Sequence, residues 1–140
     1  MAVAEVFRSS RDRHFDAAVE KLRVGVQAMA AWVGDAEAEG LGEALIQIRE
    51  VGIDPLEAVF ATGLRRFDKS GEYKAEGALS LTAWLRWKCK LSGGAALERV
   101  EVARQLEKLP ETTAAFANGD VGFQHVAVLA RTAEHVGAAA

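Results

Sequence analysis

Residues 77–131 constrain the fold most, because helix-start and turn signals follow one another there at short intervals. The segment reads GALSLTAWLRWKCKLSGGAALERVEVARQLEKLPETTAAFANGDVGFQHVAVLAR. Ser80 or Thr82 can cap a short helix that runs to about residue 90, and Ser92 can cap a longer helix over residues 93–108. This outline is a helix-turn-helix, a geometry that can present one helix to a DNA groove.

The remaining segments also have helical spacing, and no segment shows sustained period-two alternation. The pattern predicts helices over residues 14–33, 41–51, 55–69, 110–117 and 123–136, with an acidic connection over 34–42 and a loop over 72–79. Asp54, Pro55 and Glu57 form a capping signal for the third of these helices. We therefore predict an all-α, multi-helix orthogonal bundle with a helix-turn-helix-like hairpin, in a single domain over residues 1–140.

Apolar faces indicate which side of each helix is buried. In the first helix we expect a core face, with partner-helix binding as the alternative, and this face consists of Phe15, Ala18, Val19, Leu22, Val26, Met29 and Val33. In the helix over 55–69 the inward residues are expected to be Leu56, Val59, Phe60, Leu64 and Phe67. In the last helix they are expected to be Phe123, Val126, Leu129, Ala130 and Ala133.

The charge is mildly negative overall, at −3, and unevenly distributed. Residues 62–110 carry 10 basic and 6 acidic side chains, whereas residues 1–61 carry 6 and 11 and residues 111–140 carry 1 and 3. A basic middle between acidic flanks is compatible with an electrostatic footprint for nucleic acid. The alternative, chance clustering of charges on solvated faces, stays open.

The sequence gives no catalytic, cofactor-binding or metal site. No nucleotide-binding or hydrolase motif occurs, and His14, His125 and His135 lack metal-ligand spacing. The single cysteine, Cys89, excludes an internal disulfide and fits a reducing cytoplasm. The N-terminal segment lacks the apolar stretch of a signal peptide, and no apolar run is long enough to span a membrane.

Arg86, Trp87 and Lys90 are the candidate DNA contacts. At 100° per residue they lie opposite the apolar arc that carries Leu85, so two cations flank an outward indole. In the alternative, Trp87 is packed against a neighbour and the helix is buried on both sides. The longer helix is electrically neutral, which favours a structural helical hairpin over a groove-reading helix.

Residues 64–131 resemble the N-terminal part of the bacterial domain of unknown function 222 family. The resemblance is carried by Phe67-Asp68, Gly71-Glu72-Tyr73, Ala83-Trp84-Leu85-x-Trp87-x-Cys89, Leu91-Ser92-x-Gly94-Ala95-Ala96, Glu98-Arg99-Val100-x-Val102-Ala103-x-x-Leu106, Leu109-Pro110 and Ala115-Phe116-Ala117-x-Gly119. The segment over residues 120–125 departs from the family's usual run.

The resemblance implies a helical region that often precedes an HNH endonuclease domain, so this chain is expected to be the N-terminal part of a longer protein. We expect a non-catalytic accessory domain that contacts DNA or positions a nuclease domain in cis. The alternative is a protein-interaction or oligomerisation module without nucleic-acid contact. No membrane partner is expected.

Overall fold

The structure, a computed structural model, describes residues 10–136, and their side chains up to residue 134. Residues 1–9, which belong to the N-terminal segment that lacks the apolar stretch of a signal peptide, lie outside the described residues. Residues 137–140 and the side chain of His135 lie outside them as well. Within this range nearly every residue is helical and no strand occurs, which confirms the all-α prediction.

The helices follow one another with short connections. In chain order they are α1 (Ser10–Asp35), α2 (Ala38–Gln47), a π-helical segment (Ile48–Ile53), α3 (Asp54–Ser70), α4 (Glu72–Ala75), α5 (Leu81–Lys88), α6 (Gly93–Gln105), a 3-10 turn (Leu106–Lys108), α7 (Pro110–Ala117) and α8 (Phe123–Val136).

Two compact units divide the chain, Met1–Ala44 and Leu45–Ala140. The first contains α1 and most of α2, and the indole of Trp32 lies beside Gly40, where a Cβ atom would be 3.5 Å from the ring. The second contains the remaining helices. The prediction of a single domain over residues 1–140 stays a prediction.

The core face predicted for the first helix is wrong for this unit. No residue of α1 is buried, and the predicted large apolar residues are between 36% and 67% exposed. The first unit contains too little other structure to cover these side chains, because α2 has 10 residues and α1 has 26.

In the second unit, α6 is the central helix and contacts α3, α5 and α8. One side of the core joins α3, α7 and α8 to the end of α6, through Ala58, Ala61, Val102, Leu106, Phe116, Phe123, Val126, Ala127 and Ala130. The other side joins α3 and α5 to α6, through Leu64, Leu81, Leu85, Ala96, Val100 and Ala103.

Serine caps begin α5 and α6, as the sequence predicts. Ser80 Oγ accepts a hydrogen bond from the Ala83 amide at 3.0 Å, and Ser92 Oγ accepts one from the Ala95 amide at 3.2 Å. The capping role of Asp54 is wrong. The π-helical segment runs directly into α3, so the Asp54 amide already donates to the Arg49 carbonyl and Asp54 is itself helical.

The buried face of α3 also differs from the prediction. Leu64 is buried, but Leu56, Val59 and Phe60 are 38–65% exposed. The side facing the core instead carries Ala58 and Ala61, at 6% and 3% exposure. The buried face of α3 therefore consists of two alanines together with Asp54 and Leu64.

Three further expectations are corrected in detail. The connection predicted over 34–42 consists of residues 36–37 only, because Gly34 lies within α1 and both Gly40 and Gly42 lie within α2. The loop over 72–79 contains α4. On α8, Phe123, Val126, Ala130 and Ala133 are buried as predicted, whereas Leu129 is 44% exposed.

We predict that Leu85→Ala destabilises the protein by about 2–5 kcal/mol, because the side chain is fully buried and its removal leaves a cavity. Urea unfolding followed by circular dichroism measures the loss. Leu79→Ala is the matched control, since Leu79 is 95% exposed and surface changes stay within about half a kcal/mol. Equal effects of the two substitutions would refute the core assignment.

We predict that Gly119→Ala is much more costly than Gly71→Ala, although both glycines have left-handed backbones, with φ of 79° and 71°. A Cβ atom at Gly119 would lie 2.2 Å from the Glu50 carbonyl oxygen, whereas one at Gly71 meets nothing within 4 Å. We expect about 1 kcal/mol for Gly71→Ala and at least about 3 kcal/mol for Gly119→Ala. Denaturation midpoints test this order, and similar losses would contradict the contact.

Candidate functional site

The three predicted contact residues lie together on the surface at the end of α5. Arg86 and Lys90 are exposed, and Trp87 is 58% exposed, so the alternative in which Trp87 is packed inside the protein is wrong. Leu85, on the opposite side of α5, is fully buried and anchors the helix. The amphipathic projection therefore places these side chains correctly.

Lys88 joins this group and was missed by the sequence analysis. Its Nζ atom lies 3.9 Å from the centroid of the Trp87 ring, a distance at which a cation is attracted to the face of an indole. In the sequence Lys88 directly follows Trp87, and this adjacency is the signal that could have indicated the contact. A helical projection does not show it, because it places neighbouring residues about 100° apart. We call Arg86, Trp87, Lys88 and Lys90 the basic edge.

Four described cations elsewhere in the second unit lie within 4.0 Å of a carboxylate, namely Arg65, Lys69, Arg99 and Arg104. Arg99 pairs with Glu57 at 2.9 Å, and Lys69 pairs with Glu107 at 2.7 Å. This hydrogen bond from Lys69 lowers the pKa of Glu107. In contrast, Arg86, Lys88 and Lys90 form no ion pair with any residue whose side chain the structure describes. The basic edge therefore places three such cations within five residues of one another, whereas the other cations of the unit that form no ion pair with a described residue are spread over separate helical segments, at Arg49, Arg66, Lys74, Lys108 and Arg131.

The longer helix of the hairpin, α6, is not placed for groove reading. Ala96, Val100, Val102 and Ala103 are buried, so much of its surface belongs to the core. Arg99 stacks on Phe123 at 3.9 Å from the ring centroid. Arg104 donates two hydrogen bonds to Asp68, which raise the pKa of the guanidinium. The geometry supports the structural-hairpin interpretation of α6.

The turn between α5 and α6 carries a strained residue. Lys90 has a φ of 58°, the one positive value of a non-glycine residue in the described part of the chain. Its neighbours Cys89 and Leu91 pack against the core and hold the turn in place. Partial burial raises the pKa of the Cys89 thiol, so less of it is the reactive thiolate. Strained residues of this kind cluster at functional sites.

A shallow pocket of about 390 Å³ lies beside the basic edge, where the amino end of α6 meets the end of α5. It is lined by Ala83, Arg86, Trp87, Leu91, Ser92 and Gly93. Arg86 Nε lies 4.0 Å from where a Cβ atom on Gly93 would be. A guanidinium group beside the first amides of a helix forms a favourable environment for an anionic oxygen.

A second cleft, of about 860 Å³, adjoins the amino end of α8. Asp54, 8% exposed, lies at its wall, beside Arg49, Glu57, Arg99 and His125. The charges around it are mixed, with Arg99 already bound to Glu57. Within the described residues no group of three or more His, Cys, Asp or Glu side chains could hold a metal ion. This cleft therefore offers a weaker case for a ligand than the basic edge.

None of the described helices combines the length and the apolar character needed to cross a bilayer.

Residues 49–140 match the family model described as Domain of unknown function (DUF222). The chain belongs to the DUF222 family. The match covers nearly all of the second unit of this DUF222 chain, and α1 lies outside it. No curated protein and no solved structure matches the chain.

Most residues that carry the DUF222 resemblance are explained by packing. Phe67, Tyr73, Trp84, Cys89 and Leu91 surround the side of the core formed by α3, α5 and α6. The ring centroids of Phe67 and Trp84 are 4.6 Å apart, and Trp84 Nε1 donates to Glu76 at 3.1 Å. Trp87 differs from these aromatic residues, because it lies mostly in solvent.

We predict that Lys90→Gly stabilises this DUF222 chain by about 0.5–1 kcal/mol. Glycine removes the steric cost of the left-handed backbone at Lys90, and the gain is partly offset by greater freedom of the unfolded chain. Lys88→Gly is the control, since it lies in the last turn of α5 and is expected to lose about 0.5–1 kcal/mol. Urea midpoints test both, and a destabilised Lys90→Gly variant would contradict the strain.

Proposed function

We propose that the unit formed by residues 45–136 is a non-catalytic accessory domain that contacts the DNA backbone through the basic edge. In this proposal the chain acts in the cytoplasm as the N-terminal part of a longer HNH-endonuclease-type protein and helps to position its nuclease domain. The nuclease context rests on the family resemblance alone. The DNA contact rests on the geometry of the basic edge.

The observation that carries the DNA contact is the concentration of three unpaired cations around one exposed indole. Arg86, Lys88 and Lys90 lie within five residues of one another, and their charges are not compensated by described carboxylates. Basic residues in the last turn also stabilise a helix through its dipole, and that role suffices for Arg86 and Lys88. It does not account for the strained Lys90 or the exposed Trp87.

The expected contact is with phosphates and not with base edges. Cations on flexible side chains bind phosphate oxygens without reading sequence, and the first amides of α6 can receive another oxygen beside Arg86. Trp87 can stack on a sugar or an unpaired base with its free face. Since α6 is packed into the core, a recognition helix in the major groove is not part of the proposal.

A weak affinity with a modest dependence on salt follows from this arrangement. The chain carries a net charge of −3, so the acidic remainder of the protein opposes the local attraction and dominates at distances beyond the edge. Each neutralised phosphate contributes about 0.9 to the slope of log affinity against log salt. Contacts through the basic edge alone therefore give a small slope of log affinity against log salt.

A second candidate function, a protein-interaction or oligomerisation module, is favoured by a different observation. The apolar residues of α1 are exposed along the whole helix. This surface lies outside the DUF222 match, so the two functions concern separate parts of the chain.

We predict that the chain binds a short duplex of random sequence at low salt, and that Arg86→Ala with Lys90→Ala weakens binding to every sequence. The double substitution removes two phosphate contacts and flattens the salt slope by up to about two units. Fluorescence anisotropy titrations at several salt concentrations measure both quantities. The fold is expected to survive, because both side chains are exposed.

The matched control is Lys108→Ala with Arg131→Ala, which removes the same charge from exposed positions away from the basic edge. We expect this control to retain most of the affinity. An equal loss in both double variants would show that overall charge, and not the basic edge, determines binding. Absence of binding by the wild-type chain at low salt would refute the proposed DNA contact.

A further inference from the structure

Helix α1 carries an apolar stripe without a partner in the first unit. We call this set the α1 stripe, and it consists of Phe15, Val19, Leu22, Val26, Met29 and Val33. The residues are separated alternately by four and three positions, which is the heptad spacing that keeps one seam of a helix facing another helix. All six are at least 36% exposed, so the seam is available along its full length.

The order of residue types along the stripe favours a particular assembly. With Phe15 at a d position, the a positions are Val19, Val26 and Val33, and the other d positions are Leu22 and Met29. β-Branched residues at a, combined with unbranched or γ-branched residues at d, favour two parallel strands over three or four. The pattern therefore indicates a pair of parallel helices.

The positions beside the seam are compatible with this pairing. Ala18 and Gly25 stand at g positions, where small side chains let two helices approach closely, and the ring of Trp32, at the last g position, lies beside Gly40 of α2. Arg11 stands at the preceding g position and Asp16 at an e position. In a parallel pair a g residue meets the e residue five positions later in the other copy, so Arg11 of each copy lies next to Asp16 of the second copy.

The available area is also sufficient. α1 has 26 residues and is therefore about 39 Å long. The exposed parts of the six side chains amount to on the order of 500 Å² per helix, or about 1,000 Å² for a pair, which is the size that a specific interface should reach.

We propose that two copies of this chain associate through α1 as a parallel, in-register two-stranded coiled coil. A lipid surface fits α1 less well, because residues 10–35 contain four basic and four acidic side chains and no basic excess for anionic lipids. A heptad seam with complementary g and e charges fits a second α1 best. The dimer does not depend on the DNA contact proposed above.

The first test is the mass of the full chain in solution, measured by sedimentation equilibrium over a range of concentrations. The wild-type chain is expected to be a dimer. Val26→Asp puts two carboxylates against each other at the centre of the seam and is expected to weaken association by at least about 100-fold. Val24→Asp is the matched control, because Val24 is 53% exposed on the opposite side of α1, and it is expected to remain dimeric.

A monomeric wild-type chain at high micromolar concentration would overturn the proposal. So would a Val26→Asp variant that associates as strongly as Val24→Asp. Circular dichroism of both variants checks that α3 to α8 remain folded. A Val26→Asp monomer with an intact second unit is the expected result, because the seam lies outside that unit.

The second test concerns orientation and uses single cysteines in a Cys89→Ala background. In the parallel register Val19→Cys and Val33→Cys each face their own copy, so each variant is expected to form a disulfide-linked dimer under mild oxidation. Gln27→Cys, which points away from the seam, is not expected to do so. If Val19→Cys and Val33→Cys cross-link with each other but not with themselves, the helices are antiparallel and the proposed register is wrong.

Discussion

The close packing of α6 against three other helices is the constraint on which the second unit depends. Ala96 and Ala103 are completely buried and belong to the side of the core that α6 shares with α3 and α5. Aliphatic residues from α3 and α5 fill one side, and Phe116 with Val126 fills the other. Because α6 serves as the common wall of both sides of the core, its charged residues remain only at the rim.

This central position of α6 explains why its own arginines are paired. Arg99 and Arg104 reach carboxylates on α3 from the rim of α6, so these cations help to join helices. The helix that precedes α6 contributes only one face to the core, and its end projects cations that have no such neighbours. The basic edge is thus a consequence of the core arrangement, and the same arrangement removes α6 from the role of a groove-reading helix.

Local signals in the sequence predict most of the helices but miss α4, and they predict the buried faces only in part. Ser80, Ser92 and Pro110 begin helices as expected, because caps and proline act within one turn. The buried face of α3 was mispredicted, since alanine occurs on both buried and exposed faces of helices. Its position in a sequence therefore does not indicate which face meets a neighbouring helix. The outward position of Trp87 followed from projection, whereas the contact of Lys88 with its ring depends on a rotamer that no periodicity specifies.

The contact between Gly119 and the Glu50 carbonyl brings together two segments that lie far apart along the chain. The π-helical segment at the start of the unit therefore reaches its final environment only after the turn between α7 and α8 has been made. A nascent chain can form α3, α5 and α6 earlier, since all three precede Gly119 in the chain and the ion pairs between α3 and α6 span 36 and 42 residues. Closure of the unit consequently comes late in synthesis, and its two ends are expected to gain protection from hydrogen exchange together.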